Sequence, residues 1–332
     1  MIAVVFALLL EQWRAATHWP LQRIGTLLCE VIDGLPQRLD GGHDWHAWLG
    51  WSLVVVLPAL LAWSVGAALG LVHGLLSFLF IVGVLYFTLG FRLFSHRFTA
   101  VRDGLAARRL DLAGAALADW QGGPLAPVGG TMPATTPETI ARQAIERGVG
   151  EAGRWLFGGV FWFALLPGAS GAVLYRAADR IALRWSAAAP RHPGFARVSA
   201  AALRWLDELP ARLATGTFAL VGNFTGAVEG WQGATRERPD EPRAQMVAAA
   251  LGALGIGMNA PPIDRAATRD RASTFDTTGT FDTTGTFDAF DGAGWDADSY
   301  AVAVRQMDGA AALVWRSLLV WLGVLGIAAL MF

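Results

Sequence analysis

The chain has 332 residues, of which 54% are hydrophobic and 16% charged, and its net charge is −1. A soluble globular chain carries about 25% charged residues, so this balance points toward the membrane class. Near-neutrality, with no arginine stripe interleaved with exposed aromatics, excludes a nucleic-acid partner. All 26 basic residues are arginine, which excludes the GxxxxGK[ST] phosphate loop, Schiff-base catalysis and covalently held pyridoxal phosphate. The single cysteine, Cys29, can form neither an internal disulfide nor a thiolate metal cage, and reads as a small packed hydrophobe.

The opening run MIAVVFALLL reaches Glu11 without a basic n-region or a small-residue cleavage site, unlike a secretory signal peptide. It is expected to lead a membrane or interfacial helix over residues 1–20. Glu11 and Arg14 on that helix read either as ionisable groups at membrane depth or as an interfacial salt bridge three residues apart. The tetrapeptide HDWH, residues 43–46, offers two histidines; without a third ligand it reads as interfacial His and Trp rather than zinc. From Trp45 to Phe91 no Asp, Glu, Arg or Lys occurs. That is length for two spans of about 20 residues each, placed at 49–71 and 75–91 and turning near Gly70, His73 and Gly74.

Arg92, Arg97, Arg102, Arg108 and Arg109 follow, which assigns this flank to the cytoplasm by the positive-inside rule. Residues 100–120 read as one helix with Leu105, Leu110, Leu112 and Leu117 on its apolar face, and 121–136 as a Gly/Pro/Thr-rich linker. Thr136, Pro137 and Glu138 read as the capped start of the next helix. GVGEAG, residues 148–153, matches GxGxxG formally. It lacks the preceding strand that dinucleotide binding requires and is set aside.

Residues 155–175 are uncharged between Arg154 and Arg176, but Pro167, Gly168 and Gly171 interrupt them. Arg176, Arg180, Arg184, Arg191 and Arg197 follow, so both flanks claim the cytoplasm. Either the positive-inside rule is violated once or this segment enters and returns. Residues 199–221 read as an amphipathic helix around a break at Pro210. The tandem repeat TFDTTG-TFDTTG-TFDAF, residues 274–290, does not have calcium-loop spacing and reads as part of a flexible insertion over 259–298. A last span begins near Ala311.

The expected fold is all-α: a multi-pass helical membrane protein with cytoplasmic amphipathic helices and one low-complexity insertion. Its parts are 1–20, a transmembrane hairpin over 48–92, and cytoplasmic helices and linker over 93–154. A bent or re-entrant segment over 155–176, amphipathic helices over 177–258, the insertion, and a C-terminal helix and span over 299–332 complete it. The densest polar constellation is Glu146, Glu151, Tyr175, Arg176, Asp207 and Arg212, bordered by Arg154 and Glu208. Carboxylates with arginine at a membrane boundary suit a phosphate or a metal-bound anion, or else interfacial anchoring and helix-end pairing. These residues give a candidate polar site with no catalytic residue and no metal set assigned.

Six blocks in order carry a resemblance: FALLLEQWR, DLAGAALADW, the stretch ARQAIERGVGEAGRWLFGGVFWFALLPGASGAVLYR, LDELPARL, MVAAALGALGIGM and VWRSLLVWLGVLGI. Together they resemble the CobD/CbiB superfamily of inner-membrane proteins and its relative AmpE. The resemblance implies, for CobD/CbiB, ATP-dependent amide formation joining an aminopropanol moiety to adenosylcobyric acid in cobalamin biosynthesis. Glu146, Tyr175, Arg176, Pro210, Ala211 and Arg212 match that family's pattern. Its Asn-, Thr- and Asp-rich runs are replaced here by RGVGEAGR, DRIAL and LRWLD. With those oxygen ligands gone, the chain is expected to be an AmpE-like, non-catalytic regulatory or accessory protein of the bacterial inner membrane, of the kind linked to cell-wall and β-lactamase-induction signalling. Such a protein needs no cofactor; its partners would be the lipid bilayer and a cell-wall fragment or corrinoid ligand. The alternative is a divergent adenosylcobinamide-phosphate synthase using ATP and magnesium, with Glu146, Glu151, Asp179 and Asp207 as substitute carboxylates around one cavity.

Overall fold

A computed structural model describes residues 44–89, 91–121, 136–256 and 297–331, with short pieces among residues 3–6 and 32–39. The Glu11–Arg14 pair, Cys29, most of the 121–136 linker and the TFDTTG repeat lie outside the described residues. Among the described residues the structure is all helical, with no strand.

The uncharged run folds as α1 (Asp44–Val72) and α2 (Gly74–Leu89). The chain turns at His73, whose Nδ1 accepts from the Leu75 amide at 3.1 Å and so satisfies one open donor of the new helix. α1 is long and apolar enough to cross a membrane, and Leu53, Leu57, Leu60 and Leu61 face outward from it. α2 is a shorter apolar helix.

The stretch expected to be one helix over 100–120 is two: α3 (Phe91–Ala106) and α4 (Leu110–Gln121). Arg108 adopts φ 56° in the turn between them. The helices approach so closely there that a Cβ on Gly104 would lie 2.8 Å from the Ala113 nitrogen. Apolar periodicity carried across this turn, so the face looked continuous, and only backbone geometry separates the two helices.

α5 (Pro137–Ala152) starts at Thr136, whose hydroxyl accepts from the Thr139 amide at 3.1 Å. It runs through a π-helical turn at Gly153–Phe157 into α6 (Gly158–Leu165), with helical dihedrals at Gly153 and Gly158. The helix stops at Leu166. Gly168 takes φ 65°, a conformation that costs a side-chain-bearing residue, and Ser170 Oγ donates to the Pro167 carbonyl at 2.7 Å to open α7 (Ser170–Ala187). α8 (Pro193–Val221), α9 (Phe224–Glu237), α10 (Pro242–Ala253) and α11 (Ala297–Met331) follow. α11 is the second helix long and apolar enough to span.

Two buried clusters hold the helices together. One joins α3 to α6, the later half of α8, α10 and α11 around Trp120, Phe157, Phe218 and Met307. The other joins α1, α7 and the first half of α8 around Tyr175, Trp185 and Phe195. α9 and α10 meet backbone to backbone: a Cβ at Gly226, Gly230 or Gly252 would overlap main-chain atoms of the partner helix. This is the small-residue contact that lets helices approach without side chains between them.

Candidate functional site

The site grows from the element that was expected to be bent. α6 and α7 run antiparallel, and their facing pairs recur every four residues. Arg154 bonds Asp179, with Nε donating to Oδ1 at 2.8 Å. One turn on, a Cβ at Gly158 would overlap the Tyr175 ring; a further turn on, one at Gly171 would overlap the Trp162 carbonyl. Residues 154–179 therefore double back on themselves about a turn at Leu166–Ala169.

α8 is added to this hairpin through a missing atom. Pro210 lies inside α8 without ending it, so the expected break is instead a position that lacks an N–H. The carbonyl four residues earlier, on Leu206, loses its helical donor. The Trp162 indole N–H replaces it at 3.0 Å. That bond fixes the rotation of α8 and delivers the next residue, Asp207, to Tyr175. The Tyr175 hydroxyl donates to Asp207 Oδ1 at 2.7 Å.

α10 closes the cluster with Arg243. Its Nη2 lies 3.0 Å from Asp207 Oδ1, 3.3 Å from Asp179 Oδ1 and 3.3 Å from the Tyr175 hydroxyl. Its Nε is 2.7 Å from Asp207 Oδ2. Arg176 stands beside them with Nη1 3.6 Å from Asp179 Oδ2 and its guanidinium 3.4 Å from the centre of the Trp155 ring, a cation–π contact. Tyr175, Asp179, Asp207 and Arg176 are all buried.

The charges explain why such burial is tolerated. Three guanidinium groups face two carboxylates, so the cluster is cationic by one charge and each carboxylate has a partner. Burial pushes the Asp207 carboxyl above its ordinary range, opposed by Arg243 and by the Tyr175 hydrogen bond. For Arg243 burial alone would lower the pKa, but the oxygens of Tyr175, Asp207 and Asp179 outweigh it and hold the group firmly charged. Between these side chains, Gly153, Pro210 and Met246, a cavity of about 10 Å³ remains, space for about one water.

Of the sequence-derived candidates, Tyr175, Arg176 and Asp207 meet here. The other three do not. Glu146 pairs along its own helix with Arg142 at 2.8 Å, at the surface. Glu151 accepts from the Trp120 indole at 3.0 Å and lies 3.3 Å from Arg147. Arg212 pairs with Glu208 on the outer face of α8. The substitute set of Glu146, Glu151, Asp179 and Asp207 thus splits, with only the two aspartates sharing a site. Arg243 was missed. Its signal was present: it is the last charged residue before an uncharged run from Ala244 to Ile263.

A family model described as CobD/Cbib protein matches residues 1–278. The chain belongs to the CobD/CbiB family. It is similar to the "Cobalamin biosynthesis protein CobD" of Stutzerimonas stutzeri (strain A1501), at 30% identity over 264 residues, 77% of this chain and 80% of that protein. It is also similar to the protein of the same name from Chromobacterium violaceum, at 32% identity over 191 residues, 55% of this chain and 56% of that protein. No solved structure matches this chain. These relatives overturn the expectation of an AmpE-like, non-catalytic signalling protein, because the members of the family that this chain resembles are named for cobalamin biosynthesis. That expectation rested on counting lost oxygen ligands. It gave no weight to arginines that converge from three helices.

Proposed function

We propose that this protein is a divergent adenosylcobinamide-phosphate synthase, a multi-pass protein of the bacterial inner membrane that forms the amide between an aminopropanol moiety and adenosylcobyric acid. The observation that carries the reading is the convergence of Arg154, Arg176 and Arg243, one buried and two partly buried, on two buried aspartates, in a chain of this family. Both reactants of such an amide synthesis are anionic, one a carboxylate and the other bearing phosphate. Guanidinium groups bind such oxygens in pairs of parallel hydrogen bonds. α1 and α11 support the membrane assignment by length and apolarity.

As they stand, the described residues do not fit a nucleotide–metal centre. Only two carboxylates share the cluster and both are paired to arginine. No group of three metal-ligating side chains occurs among the described residues. The cavity is far smaller than a nucleotide. The residues here can do three other things. Arg243 and Arg176 bind an anionic oxygen. The Tyr175 hydroxyl, held by Asp207, presents a hydrogen-bonded group beside it. Met246 and Ala211 line the cavity with an apolar wall.

Complementation tests the reading. A strain lacking its own synthase should regain cobalamin-dependent growth with this chain and lose it again with Asp207→Asn or Arg243→Met. Failure of the unaltered chain, expressed and membrane-located, would refute the assignment.

A further inference from the structure

Residues 154–179 form an antiparallel hairpin whose charge is confined to its open end. Arg154, Arg176 and Asp179 lie there, and the closed end is FWFALLPGASG. Leu165 at the tip is 59% exposed. Leu165 follows Arg154 through the helical turn at Gly153–Phe157 and the whole of α6, so the tip stands about 16 Å beyond the Arg154–Asp179 pair at 1.5 Å per residue. A bilayer core is about 30 Å thick. The hairpin cannot cross it, but it is long enough to enter one side.

Ion pairs show which ends of the molecule lie together. Arg197, beyond α7, contacts Asp44 at the start of α1 at 2.5 Å. Arg102 on α3, the helix that follows α2, holds Asp308 on α11 through two hydrogen bonds of 2.5 and 3.2 Å. The start of α1 thus meets the residues just beyond α7, and α3, which follows α2, meets the first half of α11. Past Arg316, α11 is uncharged, and its Trp321 ring lies 5.2 Å from Phe157 and 6.4 Å from Phe161. The apolar half of α11 thus runs alongside the hairpin toward its tip.

We propose that residues 154–179 are a re-entrant hairpin, with the tip around Leu165 seated in the acyl chains of one leaflet and the charged cluster at that leaflet's surface. Lipid hydrocarbon is the partner this tip fits, by continuity with the apolar half of α11 and by the abrupt arginine border beneath it. The inference rests on α1 and α11 spanning the membrane. It also accounts for the two arginine-rich flanks, because both then lie on the same side.

Single cysteines on a Cys29→Ser background test it in intact spheroplasts and inverted vesicles, using a membrane-impermeant maleimide. Ala107→Cys, and Ala187→Cys or Ser186→Cys, are expected to label from one and the same face. Val72→Cys, between α1 and α2, should label from the opposite face. Leu165→Cys should label from neither face but become fully reactive in detergent. Labelling of 107 and 187 from opposite faces would overturn the proposal, since the segment would then cross. Labelling of 72 from the same face as 107 would remove the spanning reading of α1 itself, a distinct failure. Oxidative dimerisation of Leu165→Cys within the membrane would show a second copy at the tip in place of lipid and would also overturn it.

Discussion

Arg243→Met is the perturbation that interrogates the cluster most directly. It removes a side chain that reaches Asp207, Asp179 and Tyr175 together. Asp179 keeps Arg154 at 2.7 Å, but Asp207 is left with only the Tyr175 hydroxyl. Removing one partner of a buried ion pair typically costs about 3–5 kcal/mol. At roughly 2 °C per kcal/mol for a chain of this size, that lowers the melting temperature by about 6–10 °C. The loss depends on pH. Burial already raises the Asp207 carboxyl, and without Arg243 it rises further. A carboxyl whose folded pKa exceeds its unfolded value binds its proton more tightly in the folded state. The penalty is therefore absent below the unfolded value of about 4 and is reached in full only above the folded pKa. Thermal unfolding in detergent should show a larger gap between variant and wild type at pH 8 than at pH 5. The double variant Arg243→Met, Asp207→Asn should recover most of the loss, because the stranded charge is gone. An Arg243→Met protein that melts within a degree of wild type, or a double variant no better than the single, would refute the electrostatic account.

Trp162→Phe strands the Leu206 carbonyl and should cost about 1–3 kcal/mol. In a Pro210→Ala background, where residue 210 regains an N–H for that carbonyl, the same change should cost measurably less in a double-mutant thermal-melt cycle. Gly158→Ala drives a methyl into the Tyr175 ring and should destabilise by about 1–3 kcal/mol. Gly216→Ala, in α8 with nothing within 4 Å of the new atom, should stabilise by about 0.5–1 kcal/mol in the same melt. For function, Tyr175→Phe and Asp179→Asn should reduce complementation of a synthase-deficient strain, whereas Glu146→Gln and Arg212→Gln should leave it unchanged.

The helices were legible wherever a local rule fixed them. The uncharged run gave α1 and α2, the Thr136–Pro137 cap gave α5, and Pro167 with Gly168 marked where α6 ends. The two-helix arrangement of α3 and α4 was not legible, because Leu105 and Leu112, seven residues apart, keep helical spacing across a turn made by one left-handed residue, Arg108. The candidate site divides along the same line. Tyr175, Arg176 and Asp207 stood out because they interrupt apolar sequence. Glu146, Glu151 and Arg212 looked equivalent, yet they are served by neighbours on their own helices or by Trp120, and no sequence count distinguishes a locally paired charge from a convergent one. Arg243 reaches Asp207 from 36 residues away, on a helix whose position depends on backbone contacts at Gly226, Gly230 and Gly252. Such contacts leave no charge to read, only small residues at four-residue spacing, Gly222, Gly226 and Gly230.

What brings the cluster together is largely what its framing residues lack. Gly153 has no side chain, and Met246 occupies the space where one would be. Gly158 has none, and the Tyr175 ring lies over it. Pro210 has no N–H, so the Leu206 carbonyl is free for Trp162. Each absence admits a side chain from another helix, and those side chains carry or flank the hydroxyl, the carboxylates and the guanidinium groups of the site. A search for oxygen ligands in family positions measures what is present at each position, so it gives no weight to arginines that converge from separate helices. The same glycines and proline that seem merely to interrupt helices are the positions at which α6, α7, α8 and α10 are brought within bonding distance. A substitution that fills any of these gaps should therefore harm the site more than the loss of a surface carboxylate such as Glu146, although it removes no polar group at all.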